Sequence, residues 1–318
     1  MFLNLLPNFL PLLLLLILGY LFKIFHFLNG ETINQIKKII VTITLPCLLF
    51  LAFFSLNITP EGLLLGLVIF SLCATMLFIG KIISRQITPK RITLPFLFCG
   101  FEAGMLGYAL YLSLFGQENL PIFAAVDLGQ VLFVFLILVP LLKKISGQTV
   151  SGRETLLNAI SSPVLLSIIA GLILGGVARF SGSTIFSQGY LWAFVESLNR
   201  TIQTLGNLTP PLVAITVGYG LQINGKQVLS AVVLSITRLI MNSLLAWTVS
   251  WLISFGPINL SAEYIPAIWV LFLLPPPYVI PAFLPAEANE EESFISTTLS
   301  VHTLLSIFLI PLVFVFLS

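Results

Sequence analysis

The chain alternates long apolar runs with short polar connections along its whole length. A helix that spans a bilayer needs about 20 predominantly apolar residues, and on that measure the pattern predicts ten spans. Their bounds are 5–22, 39–56, 62–84, 92–115, 121–142, 161–179, 203–222, 227–255, 264–285 and 293–317. The expected fold is an all-α polytopic membrane protein with ten transmembrane helices.

A polar stretch near the middle divides the chain into two similar halves. The first half is residues 1–145 with spans 1 to 5, residues 146–158 form a linker, and residues 159–318 hold spans 6 to 10. The motif Thr44-Leu45-Pro46 in span 2 is echoed by Thr209-Pro210-Pro211 in span 7. Because five is an odd number, the second half enters the membrane upside down, which predicts a five-plus-five inverted repeat of the kind found in transporters.

Two spans are interrupted at corresponding places. Span 4 is broken by 101–107, which contains Gly104 and Gly107, and span 9 is broken by 274–277, which contains Pro276 and Pro277. Glycine and proline cost about 1 and about 3 kcal/mol inside a helix. Backbone groups freed at membrane depth are tolerated where protein or a polar cavity satisfies them. We therefore expect the two breaks to cross and form a substrate site, with Tyr278 beside the second break.

Composition places the chain in a membrane and limits its chemistry. Charged residues make up 8% of the chain and hydrophobic residues 58%, with a mean hydropathy of +1.09, whereas soluble domains carry about 25% charged residues. The net charge of +2 gives no basic face for a nucleic acid. Phosphate-binding, zinc-protease and serine-hydrolase motifs are absent from the sequence. The prediction is a transporter without a cofactor or metal, and a channel or an intramembrane enzyme stays as the alternative.

The distribution of lysine and arginine predicts the orientation. Eleven of the fourteen basic residues fall in the loops after spans 1, 3, 5 and 7. Such an excess marks the cytoplasmic side, so both termini are expected outside, in a plasma or inner membrane. The expected partners are a small-molecule substrate, the lipid bilayer and a second copy of the chain in a homodimer.

Motifs in both halves resemble the auxin efflux carrier family. In the first half they are Leu18-Gly19-Tyr20-Leu21, Thr44-Leu45-Pro46-Cys47-Leu48-Leu49-Phe50, Gly104-Met105-Leu106-Gly107, Leu114-Phe115-Gly116 and Asp127. In the second half they are Ser162-Pro163, Gly171-Leu172-Ile173-Leu174-Gly175, Thr209-Pro210-Pro211-Leu212, Arg238, Pro276-Pro277 and 298–311. The resemblance, to the bacterial-type permease branch, implies the ten-helix fold shared distantly with bile acid:sodium symporters. It also implies alternating access and a small organic anion as substrate.

The chain departs from that family at the expected site. Glu102 stands where the family usually has an asparagine in helix 4, and Ala109 replaces a usual proline. In helix 9 the family's asparagine is replaced by Val279 or Ile280, depending on alignment. A carboxylate here would repel an anion, carry a coupling proton or favour a cation. A carrier of a neutral or cationic solute therefore stays open as an alternative.

Few ionisable residues fall inside the predicted spans, and each is a functional candidate by default. Glu102 is about 15 Å along span 4 and Arg238 about 17 Å along span 8, so the two lie at similar depth and are expected to pair. The pair would be structural, or it would open on protonation and free Arg238 for an anion. Asp127 is about 9 Å from the outer end of span 5, where it would be solvated, cap a helix or take part in coupling. Proton and sodium coupling both stay open.

Overall fold

The computed structural model describes residues 2–87, 91–147, 161–180, 190–256, 260–284 and 289–317, and the regular elements in these ranges are all helical. The main helices are α1 Phe2–Ile24, α2 Gly30–Ser55, α3 Pro60–Ile87, α4 Ala103–Phe115, α5 Gln117–Ile145, α6 Pro163–Phe180, α7 Tyr190–Asn207, α8 Thr209–Gly220, α9 Val228–Phe255, α10 Tyr264–Leu273 and α11 Asn289–Leu317. Most of the expected linker, residues 148–158, lies outside the described ranges.

The helices have the length and composition of an integral membrane protein. In the described ranges six helices are long and apolar enough to cross a bilayer, namely α2, α3, α5, α6, α9 and α11. Shorter apolar helices are Phe9–Ile24 within α1, together with α4 and α10. The expectation of an all-helical membrane protein is confirmed, while the number of ten spans stays a prediction.

Prolines reshape two helices of the first half. The first turn of α2 is capped by Asn29, whose side chain accepts a hydrogen bond from the amide of Thr32 at 2.7 Å. Further along, a π turn at Ile40–Thr44 precedes Pro46. Proline lacks the amide proton and its ring displaces the carbonyl four residues earlier, and a π turn accommodates both effects. A second π turn, Val134–Leu138, precedes Pro140 in α5 for the same reason.

Two glycine seams hold pairs of helices in direct backbone contact. A Cβ atom added at Gly19 of α1 or at Gly218 of α8 would overlap the backbone of the other helix. The same is true of Gly171 and Gly175 in α6, which face the backbone of α2. Small residues let membrane helices approach closely, so these positions fix the pairs α1–α8 and α2–α6.

The remaining long helices surround the two interrupted segments. Helix α3 packs along α5, where Gly66 and Gly129 bring the two backbones together, and α9 packs against both α10 and α11. The interrupted stretches run between these helices, 91–102 ahead of α4 and 274–284 behind α10. The fold thereby buries both breaks in protein.

Candidate functional site

The first break lies immediately ahead of α4. A 3-10 turn at Leu94–Leu97 is followed by nonhelical residues 98–102, and α4 then begins with a π turn at Ala103–Gly107. Gly104 and Gly107 therefore belong to the first turns of α4, and the prediction that they form the break is wrong by a few residues. Gly100 carries the sharp bend instead, with a φ of 66° that residues bearing a Cβ rarely adopt.

The second break is the run of prolines after α10. This helix ends at Leu273, residues 274–279 are nonhelical, and a 3-10 turn follows at Ile280–Phe283. The consecutive prolines Pro275, Pro276 and Pro277 have no amide protons, so this segment presents carbonyl groups but almost no donors. All three are buried.

The two breaks contact each other directly, as the sequence predicted. The amide of Glu102 donates a hydrogen bond to the carbonyl of Pro275 at 2.9 Å. A Cβ added at Gly100 would lie 3.1 Å from the ring of Pro277, and one added at Gly107 would lie 2.7 Å from Leu274. Glycine at both positions therefore permits the close crossing of the two segments.

The carboxylate of Glu102 joins the two breaks. One oxygen accepts from the amide of Met105 at 3.1 Å, which caps the N-terminus of α4, and the other accepts from the amide of Tyr278 at 2.6 Å. Glu102 is 9% exposed. Open amides at a helix N-terminus form an anion site, and here a side chain of the protein itself occupies it.

Arg238 of α9 binds the carbonyl groups that the breaks leave free. Its guanidinium donates to the carbonyl of Phe98 at 3.4 Å, to that of Leu274 at 2.8 Å and to that of Gly100. The Nε2 atom of His302 accepts from the same group at 3.2 Å. The rigid fork of arginine donors suits several acceptors at once, so Arg238 clamps both breaks.

The expected ion pair between Glu102 and Arg238 is wrong. The carboxylate accepts from two amides and the guanidinium donates to three carbonyls, so each charge is satisfied by backbone groups. The physical reason is that an interrupted helix frees amides at one end and carbonyls at the other. Arg238 is 1% exposed, so in this conformation its guanidinium is buried in protein.

Asp127 lies deeper in the protein than its distance from the helix end suggested. It is 1% exposed in α5, and its carboxylate lies beside the hydroxyl of Tyr108 in α4. The interpretation of Asp127 as solvated or as a helix cap is therefore wrong. The role of Asp127 in coupling stays a prediction. Among the described residues there is no group of three His, Cys, Asp or Glu side chains that could hold a metal ion.

A cavity of about 580 Å³ leads to the crossing from the end of the bundle that carries Lys23 and Lys37. We call it the crossing cavity. Its innermost walls include Met105 and Tyr278, the two residues whose amides bind Glu102. The other lining residues are Gly30, Ile33, Asn34, Val41, Thr216, Val217, Tyr219, Gly220, Leu221, Gln222, Pro281, Ala282, Ser296, Leu299, Ser300 and Thr303.

Hydroxyl groups of α11 form one polar wall of the crossing cavity, and the sequence analysis missed them. Ser296, Ser300 and Thr303 line it, and the Thr303 hydroxyl lies 2.8 Å from that of Tyr278. Their spacing of four and three residues places them on one helix face, which is a signal that could have been read from the sequence. Gly104 and Pro276 do not line the cavity, and among the predicted binding residues Tyr278 does.

Comparison with known proteins supports a transporter. No family model matches the chain. It is 24% identical, over 95% of each chain, to a protein of Methanothermobacter thermautotrophicus described as an uncharacterized transporter. It is 29% identical to an uncharacterized transporter of Methanocaldococcus jannaschii, over 76% of this chain and 78% of the relative. The similarity to transporters agrees with a membrane protein that is not an enzyme.

Proposed function

We propose that the chain is a secondary transporter that moves a small organic anion by alternating access, with its binding site where the crossing cavity meets the two breaks. The carrying observation is that this cavity reaches Met105, in the first turns of α4 after the first break, and Tyr278 of the second break. In many transporters the substrate site lies at interrupted helices between two repeats. The proposal includes the resemblance to auxin efflux carriers and ten spans in two inverted halves.

The packing of the helices supports the inverted repeat. Under the proposed exchange of halves, span 1 corresponds to span 6 and span 2 to span 7. The seam between α1 and α8 joins spans 1 and 7, and the seam between α6 and α2 joins their counterparts, spans 6 and 2. The pairs α3–α5 and α9–α11 correspond in the same way.

The charges around the crossing cavity favour an anionic substrate. Lys23 and Lys37 line it together with hydroxyl groups, and the lining contains no carboxylate side chain among the described residues. Glu102 is adjacent, but both of its oxygens accept hydrogen bonds from backbone amides. A carboxylate already satisfied in this way repels an incoming anion less than a free one would. This observation disfavours the alternative of a cationic solute.

We place coupling at Glu102. Protonation would turn one of its oxygens into a hydroxyl donor, which weakens that oxygen as an acceptor for the amide of Met105 or Tyr278. Loss of the bond to Tyr278 would remove the side-chain link between the two breaks, and loss of the bond to Met105 would uncap α4. A proton bound at Glu102 would in this way loosen the crossing.

Substrate flux into proteoliposomes tests the proposal directly. A panel of dicarboxylates, indole acids, amino acids and neutral solutes would be offered to the purified protein in the presence of trapped substrate. Saturable counterflow of an organic acid is the expected result. Unsaturable voltage-driven current would indicate a channel, and chemically altered substrate would indicate an enzyme. Counterflow restricted to cations or neutral solutes would contradict the proposal that the substrate is an anion.

Adjacent lysines provide a matched pair of variants. Lys37 lines the crossing cavity, whereas its neighbour Lys38 is exposed and does not. We expect Lys37→Ala to weaken the apparent affinity for an organic acid about fivefold, the size of one partly solvated charge contact, while Lys38→Ala leaves it unchanged. Equal effects of the two substitutions would place the substrate elsewhere.

A further inference from the structure

A second and larger space lies on the outside of the bundle, between α1 and α11. Its volume is about 1240 Å³, and we call it the lateral groove. Its lining runs along α1 from Leu16 to Ile24 and along α11 from Glu292 to Leu304. With a rise of 1.5 Å per residue, the α11 side is about 18 Å long. The groove therefore extends from one end of α11 well into its apolar part.

The segment 221–225 separates the lateral groove from the crossing cavity. Lys23 donates to the carbonyl of Leu221 at 2.6 Å, and the amide of Gln222 donates to Ser300 at 2.9 Å. The amide of Asn224 donates to the hydroxyl of Thr297 at 3.2 Å. These bonds fix the wall between the two spaces, and Lys23, Leu221, Gln222 and Ser296 line both of them along that wall.

The polarity of the lateral groove changes along its length. Its deep part is lined by apolar side chains, among them Ile17, which is 50% exposed, and Leu304. Its opposite end carries the cation Lys23 and the anion Glu292. Lys23 binds the carbonyl of Leu221, and the next residue, Gln222, binds Ser300 of α11. Ser300 follows Glu292 by eight residues, which places Glu292 about 12 Å nearer the end of α11.

We infer that the lateral groove binds one phospholipid with an ammonium headgroup, its phosphate at Lys23, its ammonium at Glu292 and an acyl chain along Ile17 and Leu304. The charge order matches such a lipid, because its phosphate lies closer to the acyl chains than its ammonium does. Lys23 has three donors and gives one to Leu221, so two are free for phosphate oxygens. The apolar side chains in the deep part of the groove provide the surface on which the acyl chain packs.

Native mass spectrometry tests this binding site without any transport measurement. The full chain would be extracted from nanodiscs that contain equal amounts of phosphatidylethanolamine, phosphatidylcholine and phosphatidylglycerol. We expect one retained lipid per chain, enriched in phosphatidylethanolamine because its primary ammonium can donate hydrogen bonds to Glu292. Glu292→Gln should reduce that preference about tenfold, as expected for one charge-assisted hydrogen bond. The matched control is Glu290→Gln, an exposed residue outside the groove.

A second pair of variants tests the acyl part of the site. Ile17→Trp would fill the groove and should lower retention of all three lipids about tenfold, whereas Leu18→Trp on the adjacent exposed surface should not. Unchanged retention in Ile17→Trp, or unchanged preference in Glu292→Gln, would overturn the proposal. Displacement of the lipid by free glycerophosphoethanolamine at equal concentration would also overturn the proposal and would indicate a soluble ligand. A dimer crosslinked through position 17 would overturn it as well and would indicate a second copy of the chain.

Discussion

The two breaks cross at one point but differ in the chemistry that stabilises them. The first, residues 98–102, keeps its amides and contains a glycine bend and Glu102, while the second, residues 274–279, contains three prolines. Proline removes donors, so the second break needs partners mainly for its carbonyls. The first break needs partners for donors and acceptors alike. The first break therefore avoids unpaired backbone groups by pairing them, and the second avoids unpaired donors by replacing amides with proline nitrogens.

Each kind of freed group has a partner of opposite character. The carbonyls of Phe98, Gly100 and Leu274 receive donors from Arg238. The amide of Met105 and that of Tyr278 donate to Glu102. An unpaired buried polar group costs about 1 to 3 kcal/mol, which explains why two charged side chains persist at the crossing.

Removing the donor common to both breaks should have the largest effect. Arg238→Met keeps much of the volume but leaves three carbonyl groups without a partner, and we expect a loss of about 3 kcal/mol or more in the free energy of unfolding. Arg238→Lys should be intermediate, because a single ammonium lacks the arginine fork. Thermal denaturation followed by size-exclusion chromatography measures the effect, with the exposed Thr237→Val as control. An Arg238→Met protein as stable as the wild type would contradict the clamp.

Glu102→Gln should affect both stability and coupling. A glutamine has one acceptor oxygen, so it can satisfy one of the two amides that Glu102 binds, at a cost of about 2 kcal/mol. We expect the variant to retain counterflow and to lose pH-dependent uphill transport. The control is Glu118→Gln, at an exposed position outside the crossing. If uphill transport keeps its pH dependence, Glu102 has a structural role alone.

The smallest expected difference is that between Gly100→Ala and Gly147→Ala, and it isolates the contact between the two breaks. Its φ of 66° resembles the 74° of Gly147, but a Cβ at Gly100 would lie 3.1 Å from Pro277 whereas at Gly147 nothing lies within 4 Å. Both substitutions carry the cost of a left-handed alanine, about 1 to 2 kcal/mol. Gly100→Ala should cost about 1 kcal/mol more. Equal losses of thermal stability in Gly100→Ala and Gly147→Ala would show that Pro277 can move away from the added Cβ at no cost.

The sequence predicted the interruptions because glycine and proline act locally. The run from Pro275 to Pro277 disturbs a helix through its own backbone, so the position of the second break followed from residue type. Gly100, which bends the first break, was not among the predicted helix breakers. The position of the first break was shifted because Gly104 and Gly107 resemble helix breakers but fit a π turn. A glycine within a sequence does not distinguish a helix end from a close contact.

The side-chain partners depended on atoms that a sequence does not display. Arg238 was expected to pair with Glu102 because opposite charges are visible in a sequence, whereas free carbonyl groups are not. Asp127 was judged from its distance along a span, and burial depends on the neighbouring helices. Ser300 and Thr303 were missed because a hydroxyl in a membrane helix can bond to its own backbone, and both also do so here.

The glycine seams between α1 and α8 and between α2 and α6 have a mechanical consequence. Where backbones touch at Gly19, Gly218, Gly171 and Gly175, no side chain lies between them whose rotamer could change to let the helices slide. The two helices of each pair should therefore move together as one rigid unit. The movement required for alternating access would then take place at the contacts between these rigid pairs and the helices that hold the crossing.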